Sequence, residues 1–186
     1  EGYKYKKLED INLEIDNLVK FIIDTKHQYI SEKNFTPWNY YHKYEPEIHI
    51  KKGYLDIKDN VSFLYIKDAL RCFGYKGGHF QQGGWKIKGT SKYVWFPKLY
   101  KNKDWKNSLS NDFKVIEMKK EDNSDIGEIK EHQKNNIVFA HSKNQLGQTV
   151  YKFLGEFCIS FEKSNNNKHI YLRKNTSINI KNYHAT

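Results

Sequence analysis

The segment NNIVFAHSKNQLGQTVYKFLGEF, residues 135–157, decides the fold. Ile137–His141 is a run of Ile, Val, Phe and Ala that ends in His-Ser-Lys, a composition that suits a pleated, packed strand. A turn containing Gly147 follows, and the chain returns through Tyr151, Phe153 and Phe157. The pattern predicts two antiparallel strands joined by a short turn, the second spanning Val150–Phe161.

The same texture recurs on either side. Tyr93–Phe96, Phe113–Met118, His169–Arg173 and Ser177–Ile180 read as strands, and SNNNK (164–168) as a hairpin turn. Ser124–Gln133 (SDIGEIKEHQ) reads as a helix capped by Ser124. Upstream, Val61–Ile66 reads as a strand, Lys67–Phe73 as one or two helical turns, and YKGGHFQQGGW (75–85) as a flexible loop or hairpin turn. Residues 28–60, with Pro37, Pro46 and Gly53, read as loop with short strands. Over 8–27, Leu8, Ile11, Ile15, Leu18, Val19 and Ile22 share one helical stripe, with acids early and Lys26 and His27 late, as the helix dipole favours. No repeat is visible. The sum is an α+β chain: an N-terminal helix and aromatic-rich extension over 1–60, packed on a main domain over 61–186. The main domain is a curled, mostly antiparallel sheet or barrel.

Charge narrows the partner. The 186 residues carry 32 Lys and Arg against 22 Asp and Glu, a formal charge of +10, together with 14 Tyr, 11 Phe and 4 Trp. Cations neutralise phosphates and flat rings stack on bases, so the two excesses together favour nucleic acid over a membrane surface. An AT-rich genome also raises Lys, Asn, Ile and Tyr, so local support is needed. Cys72 and Cys158 lie far apart without a CxxC or Cys/His spacing, against a zinc ribbon and a disulfide-stapled secreted domain. No apolar run approaches the ~20 residues of a membrane span, and no signal peptide is visible, so the expected setting is cytoplasmic. The chain opens at Glu1 rather than Met, which suggests a piece of a longer protein.

Local support comes from YVWFPKLYKNKDWKNSLSND, residues 93–112. Rings here can surround a planar ligand, Asn and Ser can meet its edge, and Lys98, Lys101, Lys103 and Lys106 can meet phosphates. The plainer alternative makes Trp95 a core residue and the lysines solvated; Trp105, set among Lys103, Asp104, Lys106 and Asn107, is harder to explain as core. Lys143, Arg173 and Lys174 at strand ends are further phosphate candidates. His42, His49, His79 and His141 make no metal spacing, and GGHFQQGG lacks the GK[ST] of a phosphate-binding loop. We therefore expect no metal and no cofactor.

Trp105, Asn107 and Ser108, then Phe139, His141 and Ser142, then Gly155 form an order that resembles PUA-like domains, the superfamily of EVE, YTH, ASCH and SRA modules. The resemblance covers roughly residues 90–180. It implies a PUA-like barrel with a pocket for one base, often a modified one, lined by Trp95, Trp105, Asn107, Ser108, Phe139, His141, Ser142 and Tyr151. It also implies base extrusion from a duplex, DNA rather than RNA as partner, and a specificity module of a restriction or defence protein. A nuclease or helicase domain would then lie elsewhere in the full-length protein.

One motif points to catalysis instead. Val115-Ile116-Glu117-Met118-Lys119 resembles the second half of a PD-(D/E)xK nuclease signature, in which the Glu binds Mg²⁺ and the Lys orients water. Asp104 would be the upstream acid, since Asp112 lies too close. In so basic a chain an E-x-K also arises by chance.

Overall fold

The computed structural model describes residues 44–130 and 134–184, within a compact unit running from Lys43 to the end of the chain. The helix expected over 8–27 lies outside the described residues. Residues 44–60, grouped with the extension by sequence, belong to the compact unit. Pro46–Lys52 forms helix α1, Tyr54–Asp56 strand β1, Ser62–Phe63 β2 and Ile66–Arg71 helix α2. Gly84–Lys86 (β3), Tyr93–Trp95 (β4), Lys101–Asn102 (β5), Trp105–Lys106 (β6), Ser108–Leu109 (β7) and Val115–Lys119 (β8) follow. Asn135–Lys143 (β9), Thr149–Ile159 (β10), Lys168–Asn175 (β11) and Ser177–Asn179 (β12) complete the described strands. Among the described residues no helix is long and apolar enough to cross a membrane.

The main sheet runs β3-β4-β9-β10-β11-β8-β7, with β2 added against β10. All its pairings are antiparallel except β4 with β9, which is parallel. This is the curled α+β fold expected from the strand pattern. β1 and β12 form a separate ribbon, and so do β5 and β6.

The 135–157 segment is the backbone of the sheet because both of its faces are covered. Ile137 and Phe139 join a cluster with Leu55, Phe63, Leu70, Phe96 and Phe153, beneath α2. Val138 and Ala140 join Ile116, Leu154, Phe157 and Tyr171 on the other side. A strand buried on both faces reads as a continuous apolar run rather than an alternation, as IVFA does. Phe153 and Phe157 have the same parity yet belong to opposite clusters. The bulge explains it: β10 shifts register between Phe153 and Gly155, where Gly155 takes φ 105° and a Cβ would strike the Asn175 carbonyl. Glu156, next to it, is buried against Lys92 Nζ at 2.7 Å and Asn175 Nδ2 at 2.6 Å. Burial alone would raise its carboxyl pKa; the bonds from Lys92 and Asn175 outweigh that and hold it below the ordinary value.

Two expectations are corrected. Pro46 and Gly53, read as loop punctuation, bracket α1: Pro46 sits in the first turn, where its missing N–H costs nothing, and Gly53 caps the end at φ 82°. Residues 124–130 form no helix. Asp125 Oδ1 accepts from Gly127 N at 2.6 Å, Gly127 takes φ 86°, and Ile126 N donates to Asn166 O at 2.7 Å, which ties the segment to the β10–β11 turn instead.

Candidate nucleic-acid interface

A cavity of about 830 Å³ opens where β4 leaves β9. Its walls come from five places: Leu64–Lys67 between β2 and α2, the loop 78–83, Trp95–Lys98, the segment carrying Asn102, Trp105 and Asn107, and His141 with Tyr151. Met118 of β8 completes it.

The strand pleat decides which candidates reach this space. Trp105 and Asn107 are two apart and both line the cavity, while Lys106 and Ser108 between and beyond them are exposed. His141 and its β10 partner Tyr151 line it together, edge to face at 4.8 Å, whereas Ser142, one residue on, is absent from the walls. Phe139 shares the His141 parity but lies deeper. It is fully buried among Phe63, Phe73, Phe96 and Phe153 and supports the wall through Phe96. Trp95 serves both regions: it lines the cavity and packs on Tyr171 at 5.0 Å. So Trp95, Trp105, Asn107, His141 and Tyr151 come together, while Ser108, Phe139 and Ser142 are excluded by pleat or depth.

Two adjacent carbonyls organise the polar wall. Pro97 O accepts from His141 N at 3.0 Å, and Lys98 O accepts from Asn107 Nδ2 at 3.2 Å. Because a carbonyl can bind only the amide nitrogen, the Asn107 Oδ1 must be turned the other way. It is buried without a partner, a cost of about 1–3 kcal/mol that a donor would recover. Burial, and then the nearby Lys98 charge, lower the His141 pKa. Burial, and then Tyr100, raise that of Tyr151.

The cations spread over several settings. Lys98 lies on the wall with its Nζ 3.3 Å from Asn102 Oδ1. Lys103 forms the tip of the β5–β6 hairpin at φ 52°, Lys106 is exposed, and Lys101 pairs with Glu121 at 2.7 Å. Lys143 Nζ bonds Thr149 Oγ1 at 2.9 Å. Arg173 packs beside Gly155 and Lys174 is exposed next to it; neither lines the cavity. Tyr65, Lys67, His79, Gln81 and Gln82 line the cavity unforeseen. The glycine-rich loop that carries His79, Gln81 and Gln82 reads as a turn by sequence, and Tyr65, a ring that is 61 % exposed, is hidden inside an apparent strand.

The nuclease pattern gathers no site. Glu117 Oε1 pairs with Lys119 Nζ of its own strand at 2.7 Å, and Asp104 sits in the β5–β6 turn. No group of three His, Cys, Asp or Glu residues placed to hold a metal occurs among the described residues.

Comparison with known proteins adds two findings. Residues 48–180 match the family model described as the SET and RING associated domain, abbreviated SRA. The chain is also similar to the solved structure "The 5-Hydroxymethylcytosine-Specific Restriction Enzyme AbaSI", at 29% identity and a TM-score of 0.68 over 96% of this chain. It spans 59% of the length of that protein. None of the curated protein sequences compared matches it.

Proposed function

We propose a function from one premise: this chain belongs to the SET and RING associated domain family, whose model it matches over residues 48–180. The reading is a DNA-binding module that draws one modified cytosine out of a duplex and holds it in the cavity between Trp95 and Trp105. The observation that carries it is the convergence of Trp105 and Asn107 on one wall, with the Asn107 Oδ1 buried and unpartnered. That oxygen has no accessible surface in the empty cavity, so a turn of the Asn107 side chain presents it; cytosine then brings an exocyclic amine, a donor that matches such an acceptor, whereas thymine would present a carbonyl there.

The size suits the task, since ligand cavities commonly run about 300–1,000 Å³. Extruding a base costs a few kcal/mol, and stacking on an aromatic side chain returns about 1–3 kcal/mol per base. The rest must come from polar contacts and from phosphates held by Lys98, Lys101, Lys103 and Lys106. The restriction enzyme it resembles is specific for 5-hydroxymethylcytosine, which makes a hydroxymethyl group the first modification to test. In this reading the chain is the specificity part of a cytoplasmic restriction protein, and cleavage belongs to another part of it.

Fluorescence anisotropy on duplexes that differ at one cytosine (unmodified, methylated, hydroxymethylated) tests this. The expected result is tighter binding to a modified duplex, on a background that weakens with salt. Equal affinity for all three would remove the base pocket from the account.

A further inference from the structure

The cavity has an unusual charge inventory. Its ionisable lining residues are Tyr65, Lys67, His79, Lys98, His141 and Tyr151, and none of the described lining residues is an acid. Lysines only donate hydrogen bonds. Acceptors for a base amine must therefore come from amide oxygens, main-chain carbonyls, a tyrosine oxygen or a neutral imidazole. His141 is the imidazole set into the sheet: its main-chain N–H donates to Pro97 O, which fixes the backbone, and its ring stands edge-on to Tyr151, while His79 sits exposed on the loop.

We propose that His141 makes modified-base recognition proton-linked: the neutral ring accepts the extruded base, and protonation rejects it while leaving phosphate binding intact. The inference rests on the base-pocket reading above. Its physical basis is desolvation. A neutral base filling the cavity strips water from His141, which penalises the imidazolium further than the half-burial of the empty site does. Lys98 lies on the same wall and adds repulsion, Lys67 also lines the cavity, and Lys143 follows two residues along β9. No carboxylate on the described walls offsets them.

The sign follows. Burial already favours the neutral ring in the free protein, and the bound base favours it more, so binding releases a proton wherever the free protein carries one. Base-specific affinity is complete above the free-protein pKa of His141 and falls below it. Non-specific binding to phosphates moves the other way or stays level, because a protonated ring adds positive charge. The ratio of affinities for modified and unmodified duplexes isolates the first effect.

The test measures that ratio for the full chain between about pH 8 and about pH 5 at fixed salt. A decline of about threefold or more is expected, approaching tenfold per pH unit once the ring is mostly protonated. His141→Gln, neutral at every pH, should flatten the ratio. His79→Gln should keep the decline, whatever it does to affinity. A wild-type preference that does not vary with pH, or a decline that survives in His141→Gln, overturns the proposal alone. No preference at any pH overturns the base-pocket reading and this inference with it. If His141→Gln fails to fold, imidazole NMR of the wild type decides the matter. The His141 resonance should titrate at lower pH with the modified duplex bound than without it, and an equal or higher value contradicts the proposal.

Discussion

Phe139 and His141 lie two apart on β9 with the same parity, yet Phe139 is fully buried and His141 opens on the cavity. The strand is continuous, so the difference comes from what covers it. Over Phe139, β2, the turn after α2 and β10 supply Phe63, Phe73 and Phe153. Over His141 there are only the lips of the cavity. The cavity begins where the core stops being covered.

The contrast can be broken first on the covered side. Phe139→Ala should cost about 3–5 kcal/mol in denaturant unfolding, because neighbouring rings cannot collapse into the space, and binding should fall only as folding does. Next comes the buried pair behind the bulge. Lys92→Met should lower stability by about 1–3 kcal/mol, discounted because Lys92 is itself about a third exposed, since Glu156 keeps its charge with Asn175 alone. The same carboxyl sets a pH response. Its pKa is held below the ordinary value when folded, so its contribution is present above the unfolded pKa and is lost as pH falls through the lowered one. Thermal melts of the wild type in acid should show this loss, and Glu156→Gln should reduce it.

On the open side the order of effects reverses. Trp105→Ala should leave the unfolding midpoint nearly unchanged, since Trp105 joins neither buried cluster. It should cost about 1–3 kcal/mol of base-specific binding, or roughly 5- to 150-fold, read by anisotropy. If it unfolds the protein instead, Trp105 belongs to the core and the contrast fails. The smallest effect is Lys101→Ala. Its pair with Glu121 is exposed, so stability should move by less than about 0.5 kcal/mol, while the salt slope of DNA binding drops by about 1.

These differences also explain what the sequence could reveal. The IVFA run and the Tyr-x-Phe of the return strand identify the central hairpin because burial on the sheet is written into side-chain type. Trp105 stood out as a large ring in a polar setting, and Asn107 through the Trp-x-Asn order of the resemblance; the structure adds that a spacing of two residues puts both on one face of an extended chain. Helix α1 was not legible, because Pro46 and Gly53 mark a loop and a bracketed helix alike. The lips were not either. Tyr65 and the 78–83 loop reach the cavity only through β2 on β10 and β4 beside β9, pairings between residues far apart in the chain. Ser108 and Ser142 sit one pleat out of phase with the residues that line the cavity, a shift no composition reveals.

The central claim is that one base leaves the helix to fill the cavity. Its most direct test replaces the guanine opposite the modified cytosine with a mismatched base and measures affinity again. If the cytosine is extruded, the broken pair lowers a cost of a few kcal/mol, and binding should tighten by about tenfold. Equal or weaker binding to the mismatched duplex would contradict it.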